Sequence, residues 1–271
     1  MNISASLVLF QNDSAQFGRS IRCFLDACEG TLYVVDNSPI CLQHELFSHP
    51  RVRYFYAGNN LGFGRAHNIA IAMVDGKSDA HLVLNPDILF ESNVLSELTH
   101  FLKMMPNVGA VMPRIEYPNG SLQRLCKLLP TPLDLIFRRF IPFTYIKMRI
   151  NQRYEMHGLS QVNSSVVPTL SGCFLLMRTE LLNRLSGFDE RFFMYMEDVD
   201  LVRRIGDVSD TAYLPSVKVV HAYAKGSYRS WKLLGYHLRS AIFYFSKWGW
   251  IFDRVRRVRN RIALEKIGHL K

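Results

Sequence analysis

The chain contains no CxxC pair. Its five cysteines (Cys23, Cys28, Cys41, Cys126 and Cys173) are odd in number and scattered, which argues against a disulfide framework or a thiolate metal centre and points to a reducing compartment. The opening MNISASLVLF carries no basic leader and no small-residue cleavage site, and it reads as a first strand rather than a signal peptide. No apolar run reaches the roughly 18–20 residues that cross a bilayer. Internal repeats and low-complexity tracts are also missing. Glycines cluster at 58–64, but without the GxGxxG spacing and after the third strand rather than the first, which argues against a dinucleotide loop. These absences leave a cytoplasmic protein, or one bound to a membrane from that side.

What is present suits a globular chain of 271 residues, 48% hydrophobic and 21% charged, long enough to bury a real core. The net charge of +10 is unevenly spread. Residues 221–271 hold twelve Lys/Arg against two Asp/Glu, so the remainder is neutral, with 21 of each sign. The basicity belongs to the tail.

Short apolar runs of strand length (3–10, 31–36, 52–56, 81–84) alternate with helix-like stretches at 19–27 and 64–73. That alternation predicts an α/β fold with a mostly parallel sheet covered on both faces, and ligands beyond the carboxyl ends of its strands. Polar residues at those ends are Asp36-Asn37-Ser38, Asn59-Asn60 and Asn85-Pro86-Asp87. Further on, the pattern predicts a helix at 92–105, a strand at 108–112 and a turn at Pro118-Asn119-Gly120. Residues 122–153 mix Leu, Ile and Phe with basic residues and prolines (Pro130, Pro132, Pro142), and predict a loop or short helices. A strand is expected at 169–177 and helices at 179–185, 197–204 and 230–247. The last of these places Trp231, Leu234, Leu238, Ile242 and Phe245 on one face. Trp248, Trp250, Ile251 and Phe252 follow, then Arg254, Arg256, Arg257, Arg259 and Arg261.

Three groups of residues have chemistry to offer. Asp87 follows a proline that stops a strand, so it is either a turn or helix-capping aspartate or a carboxylate for a hard divalent cation, which takes one or two protein carboxylates and fills its shell with diphosphate oxygens and water. Glu197, Asp198 and Asp200 stand within an aromatic segment; they either complement a helix dipole or are carboxylates kept for a job. His221, after an apolar run, is an ordinary packed imidazole unless it has metal-binding company.

Five segments in order supply that company: Val35-Asp36-Asn37-Ser38, Asn59-Asn60-Leu61-Gly62-Phe63-Gly64 with Asn68, Leu84-Asn85-Pro86-Asp87, Ser171-Gly172-Cys173-Phe174, and the block 187–201. Together they resemble the family 2 glycosyltransferases, and within them the bacterial rhamnosyltransferase-like group, from the first strand to about Trp250. The resemblance implies a GT-A fold, a nucleotide-diphosphate-activated donor and an inverting single displacement. It puts Asp36 near the nucleotide's base and ribose, with Asn60, Arg65, Asn68 and Asn85 in the donor pocket. Asp87 matches the last residue of the family's DxD metal motif, Asn85 replacing the first aspartate, and His221 matches the downstream metal histidine, the ion being Mg²⁺ or Mn²⁺. Asp198 matches the catalytic base, with Glu197 and Asp200 orienting the acceptor or the local helix.

The implied organisation is a GT-A domain over 1–225, with a nucleotide-sugar half (1–112) and an acceptor and catalytic half (113–225), followed by a basic, aromatic helical extension at 226–271. Subgroup resemblance suggests dTDP-L-rhamnose as donor, with another deoxyhexose, a hexose or galactofuranose as alternatives. The acceptor would be a polyprenyl-diphosphate-linked saccharide of O-antigen or related cell-surface polysaccharide synthesis. The tail then fits peripheral binding to the anionic inner face of a bacterial cytoplasmic membrane, and no nucleic-acid motif accompanies its charge. A non-catalytic binding module on the same fold is the other reading; Asp87, Asp198 and His221 standing together argue against it.

Overall fold

The structure is a computed structural model that describes residues 1–74, 76, 78–136, 143–222 and 231–268. Its centre is one nine-stranded sheet of order β3-β2-β1-β4-β8-β6-β9-β5, with β7 also paired to β9. The strands are β1 Ile3–Leu9, β2 Thr31–Asp36, β3 Val52–Tyr56, β4 Ala80–Leu84, β5 Ile88–Phe90, β6 Val108–Glu116, β7 Ser165–Val166, β8 Phe174–Arg178 and β9 Asp210–His221. The first four are parallel to one another, β8 runs antiparallel between β4 and β6, and β6 and β9 are parallel. Helices α1 Ser14–Ala27, α2 Phe63–Met73, α3 Asn93–Met104, α6 Thr179–Arg184 and α7 Glu197–Gly206 flank it. Short α4 (Pro132–Leu135) and α5 (Thr144–Tyr154) occupy the proline-rich stretch, whose residues 137–142 lie outside the described ones. Helices α8 (Trp231–Trp248) and α9 (Arg254–Lys266) form the tail. The expected start of the tail helix at Ser230 and the boundary near 225 fall outside the described residues.

Register delivers the site. Leu9 pairs with Asp36, Leu7 with Leu84 and Leu84 with Phe174, so the residues after β2 and β4 and those before β8 meet at one sheet edge. His221, the last residue of β9, pairs with Ile88 just after the Asn85-Pro86-Asp87 turn. Burial fixes this register. β4 is buried at all five positions, and α1 packs Phe17, Ile21, Phe24 and Leu25 inward from one stripe; each such fully buried side chain contributes about 1.5–3 kcal/mol.

Three elements differ from the sequence expectation. β6 continues past Met112 to Glu116 because a register shift at Pro113/Arg114 absorbs the proline, which has no N–H for the ladder. β8 begins at Phe174, not Thr169. Thr169 turns its hydroxyl to the Lys127 carbonyl (2.7 Å) and the Gly172 N–H is taken by Asp198, so neither continues the strand. In α8 the buried residues are Ser240, Ala241, Tyr244 and Phe245, while Trp231 and Ile242 of the expected face are 88% and 50% exposed. The helix packs on the segment before α7 rather than on the sheet, forming a second small core of Phe192, Met196, Ala241, Tyr244 and Phe245.

The tail is built into the body. Ala263 and Leu264 belong to the main core. Arg203 of α7 makes a bidentate pair with Asp253 (2.7 and 2.9 Å), the residue that caps α9, and stacks 4.1 Å from the Trp248 ring. Both charged side chains are almost fully buried. Asn260 clasps Leu129 through its backbone N–H and carbonyl, each at 2.8 Å. Arg256 donates to the carbonyls of Pro130, Gly249, Trp250 and Ile251, so part of the tail's basicity is spent internally. Asp253→Ala therefore strands a buried guanidinium and is expected to lower stability by about 3–5 kcal/mol in urea unfolding. A loss below about 1 kcal/mol would mean the pair holds nothing.

Candidate active site

The edge where the strand ends meet opens into a cleft of about 790 Å³, lined among others by Phe63, Asn85, Lys127, Gly172, Asp198 and His221. His221 lies on one side, paired with Asp87. Ser20 of α1 donates to the carbonyls of Pro86 and Ile88 (2.8 and 2.7 Å), and the Ala222 N–H donates to the Asp87 carbonyl, pinning the turn that presents the carboxylate. Asp87 Oδ1 lies 3.2 Å from His221 Nε2. Gln123 sets the imidazole. Its Nε2 donates to the His221 and Glu116 carbonyls (2.8 and 3.4 Å), so Oε1 is the atom facing His221 Nδ1 at 3.0 Å and Nδ1 must carry the hydrogen. Nε2 is thereby aimed at Asp87. Burial alone would lower the imidazole's pKa, but the Asp87 carboxylate and the Cys173 thiol beside it raise it to about 10.

This pair fits a divalent ion. Asp87 Oδ1 is buried with His221 Nε2 3.2 Å away, and an ion would take the place of the proton between them. Two donors about 3 Å apart match adjacent positions of an octahedron with bonds of about 2.1 Å. No group of three or more His, Cys, Asp or Glu that could hold a metal occurs among the described residues, so the other positions would be left to diphosphate and water.

The opposite side is the start of α7. Tyr195 and Met196 both adopt φ of 69°, consecutive left-handed residues that only surrounding structure can hold. That structure is α8: Ser240 donates to the Met194 carbonyl (2.8 Å) and Met196 is buried against Tyr244 and Phe245. Asp198 then accepts from the Gly172 N–H (Oδ2, 3.0 Å) and the Val199 N–H (Oδ1, 2.8 Å). Gly172 is needed for this approach, since a Cβ there would stand 3.1 Å from that of Asp198 and 3.3 Å from the Phe63 ring. Burial raises the Asp198 pKa, opposed by those N–H groups and by the Lys127 ammonium. Glu197 is raised much further, by burial and by the Asp198 charge, and its Oε2 has no hydrogen-bond partner among the described residues. The two carboxyls are coupled, and Glu197 holds its proton more tightly than Asp198.

The remaining expected residues have the following partners. Asp200 is fully buried and accepts from Arg204 Nε (2.8 Å), Trp248 Nε1 (2.8 Å) and Lys247 Nζ (2.7 Å), tying α7 to α8. Asp36 is fully buried and holds the following loop through Ser38 N, Leu42 N and the Tyr54 hydroxyl (2.9, 2.8 and 2.6 Å). Asn60 Oδ1 accepts from Gly62 N (3.0 Å), in a turn where Gly62 has φ of 87° and its carbonyl accepts from Asn37. Asn68 accepts from the Phe188 N–H and donates to its carbonyl, each at 2.8 Å, bracing the loop that leads to Glu197. Arg65 is more than half exposed and pairs with Glu190 at 3.5 Å. Gln123, Ser20, Lys127 and Ser240 carry no motif, and nothing in the sequence singles them out.

A mixed sheet whose ligand edge joins a carboxylate–imidazole pair to a pair of adjacent carboxylates, Glu197 buried and Asp198 half-buried, has the form of a GT-A glycosyltransferase. Residues 38–239 match the family described as Glycosyltransferase like family 2. N-acetylglucosaminyl-diphospho-decaprenol L-rhamnosyltransferase of Mycobacterium tuberculosis is 30% identical over 207 residues, covering 72% of this chain and 67% of its own. Rhamnosyltransferase WbbL of Escherichia coli is 27% identical over 225 residues, covering 80% and 82%. Among solved structures, GalNAc-T7 with UDP, GalNAc and Mn²⁺ has a TM-score of 0.62 at 12% identity, over 98% of this chain and 55% of that one. Mannosyltransferase PcManGT from Pyrobaculum calidifontis with GDP-Man and Mn²⁺ has a TM-score of 0.57 at 17% identity, over 98% and 73%. The chain belongs to glycosyltransferase family 2.

Proposed function

We propose that the protein is an inverting rhamnosyltransferase that moves L-rhamnose from dTDP-L-rhamnose to a polyprenyl-diphosphate-linked saccharide in O-antigen or related cell-surface polysaccharide synthesis. The observation that carries the chemistry is one cleft lined by both His221, paired with Asp87, and Asp198. The sugar and the lipid carrier rest on the two rhamnosyltransferase relatives, one of which bears a decaprenol acceptor in its name. Asp198 takes the proton of the acceptor hydroxyl as that oxygen bonds to the anomeric carbon and the bond to the departing diphosphate breaks. Absence of a protein nucleophile from this role makes the displacement inverting. Asp87 Oδ1 and His221 Nε2 would hold Mg²⁺ or Mn²⁺, which when bound neutralises charge on the leaving diphosphate. Asn85 and Arg65 serve the donor directly, whereas Asp36, Asn60 and Asn68 serve it through the loops they brace.

Membrane contact at the inner face fits the tail's surface. Trp250, Ile251 and Phe252 are 40%, 67% and 84% exposed, and Arg254, Arg257 and Arg261 are exposed beside them. Each cation near anionic lipid contributes about 1 kcal/mol. No helix among the described residues is long and apolar enough to cross a membrane.

A thermal-shift panel of nucleotide sugars with Mg²⁺ or Mn²⁺ tests the donor. At a hundred times its dissociation constant the true donor adds about 2.7 kcal/mol. dTDP-L-rhamnose should give the largest shift, and a larger one from UDP-galactofuranose or a UDP-hexose would replace rhamnose in the proposal.

A further inference from the structure

Among the described α-helices of the body, α5 is the one with almost no buried face. All residues from 143 to 149 are exposed, Phe143, Tyr145, Ile146 and Met148 at 65%, 60%, 47% and 46%, and only Tyr154 at its far end is buried. A helix of this length is marginal in water without a packed face. Its sequence, TYIKMRINQRY, carries Lys147, Arg149 and Arg153 and no acid. Exposed aromatics among cations, with Arg149 stacked 5.2 Å from the Tyr145 ring, suit the headgroup zone of an anionic bilayer. The helix also leads somewhere. Tyr154, Glu155 and His157 line the cleft, as do Arg124 and Lys127. The Leu128 N–H donates to the Tyr154 carbonyl (3.0 Å), and Lys127 Nζ stands 5.6 Å over the Tyr154 ring. The eleven residues of α5 span about 16 Å at 1.5 Å each.

We propose that α5 lies on the anionic bilayer and guides the lipid-linked acceptor into the cleft, where Arg124 and Lys127 receive its diphosphate and present the sugar to Asp198. This rests on the reading of the acceptor as a polyprenyl-diphosphate-linked saccharide. It adds the entry route and the cations that recognise the carrier's phosphates. A lipid-linked substrate keeps its chain in the membrane, so the protein must bridge from bilayer surface to base, and α5 with its rim is the structural element that does so.

The test uses the full chain and three acceptors bearing the same N-acetylglucosamine: a long polyprenyl diphosphate in vesicles of equimolar phosphatidylglycerol and phosphatidylcholine, a short water-soluble alkyl diphosphate, and a plain alkyl glycoside. Replacing Tyr145, Ile146 and Met148 together by serine should raise KM for the vesicle-borne acceptor at least tenfold and leave transfer to the short diphosphate unchanged. Because the three side chains are exposed, folding is preserved, and an unaltered donor thermal shift verifies it. Arg124→Gln should raise KM for both diphosphate acceptors and not for the glycoside. Equal effects of the triple substitution on long and short acceptors, wild-type protein that ignores the vesicles, or an Arg124 variant that does not distinguish diphosphate from glycoside would each overturn the proposal. If the wild type transfers only to the glycoside, the lipid-linked acceptor itself is wrong; if it transfers to the diphosphates but α5 is indifferent, only the route fails.

Discussion

Asp198→Asn is expected to bind nucleotide sugar and divalent metal normally while losing about 10²–10⁴-fold in kcat, the usual worth of a positioned base. The amide keeps an oxygen for the Gly172 and Val199 N–H groups that now hold the carboxylate, so the start of α7 should stay in place. What it loses is the ability to take a proton. Burial raises the Asp198 pKa, so the wild-type rate should fall on acidification from a point above the ordinary carboxylate range, and the variant's residual rate should lack that limb. Burial, the larger cause of the raised Glu197 pKa, persists in the variant, so Glu197 is not expected to rescue it. Asp200→Asn is the control, since its carboxylate is committed to Arg204, Lys247 and Trp248 and its loss should appear as stability rather than as a missing pH limb. Near-normal turnover by Asp198→Asn, or loss of donor binding in step with rate, would remove Asp198 from the role of base.

Asp87→Ala should abolish transfer, and EDTA should silence the wild type until Mg²⁺ or Mn²⁺ is restored. A sharper signature comes from His221. Its pKa of about 10 means the metal-free imidazole is protonated at neutral pH, and a metal ligand must be neutral. Metal binding should therefore release a proton, with affinity rising about tenfold per pH unit below that value. Titration calorimetry of Mn²⁺ in buffers of different ionisation enthalpy measures the release directly. In Asp87→Ala the imidazole loses its anionic neighbour, so the released fraction should shrink along with affinity. Full activity in EDTA would take the ion out of the reaction altogether.

Much of the fold was legible because strand-length runs and amphipathic helices follow burial, and burial is periodic. The polar strand ends were legible for the same reason: Asp36, Asn85, Asp87 and His221 stand where apolar runs stop. The direction in which each side chain spends its hydrogen bonds was not. Asp36, Asn60 and Asn68 are the kinds of residue that contact a nucleotide, yet the first two brace neighbouring backbone and Asn68 braces that of Phe188, and nothing local in sequence distinguishes the two uses. Asp200 shows the same limit at longer range, its partners Lys247 and Trp248 lying on a helix whose packing face could not be picked from hydropathy. That face packs on the loop holding Tyr195 and Met196, whose left-handed backbone leaves no composition signal. Gln123 is 98 residues from the histidine it orients.

The paired left-handed residues Tyr195 and Met196 have a consequence for how the enzyme comes into being. Each such residue costs about 1–3 kcal/mol in isolation, and what offsets it is α8, supplied some forty positions later, with α9 locking α8 through Asp253. During synthesis, a ribosome that has passed residue 200 has made every carboxylate of the site but not the site. The segment has no reason to hold its shape until residues 231–264 arrive and fold over it. Catalytic competence is thus expected late in the life of the chain, set by the same helices that carry its positive charge.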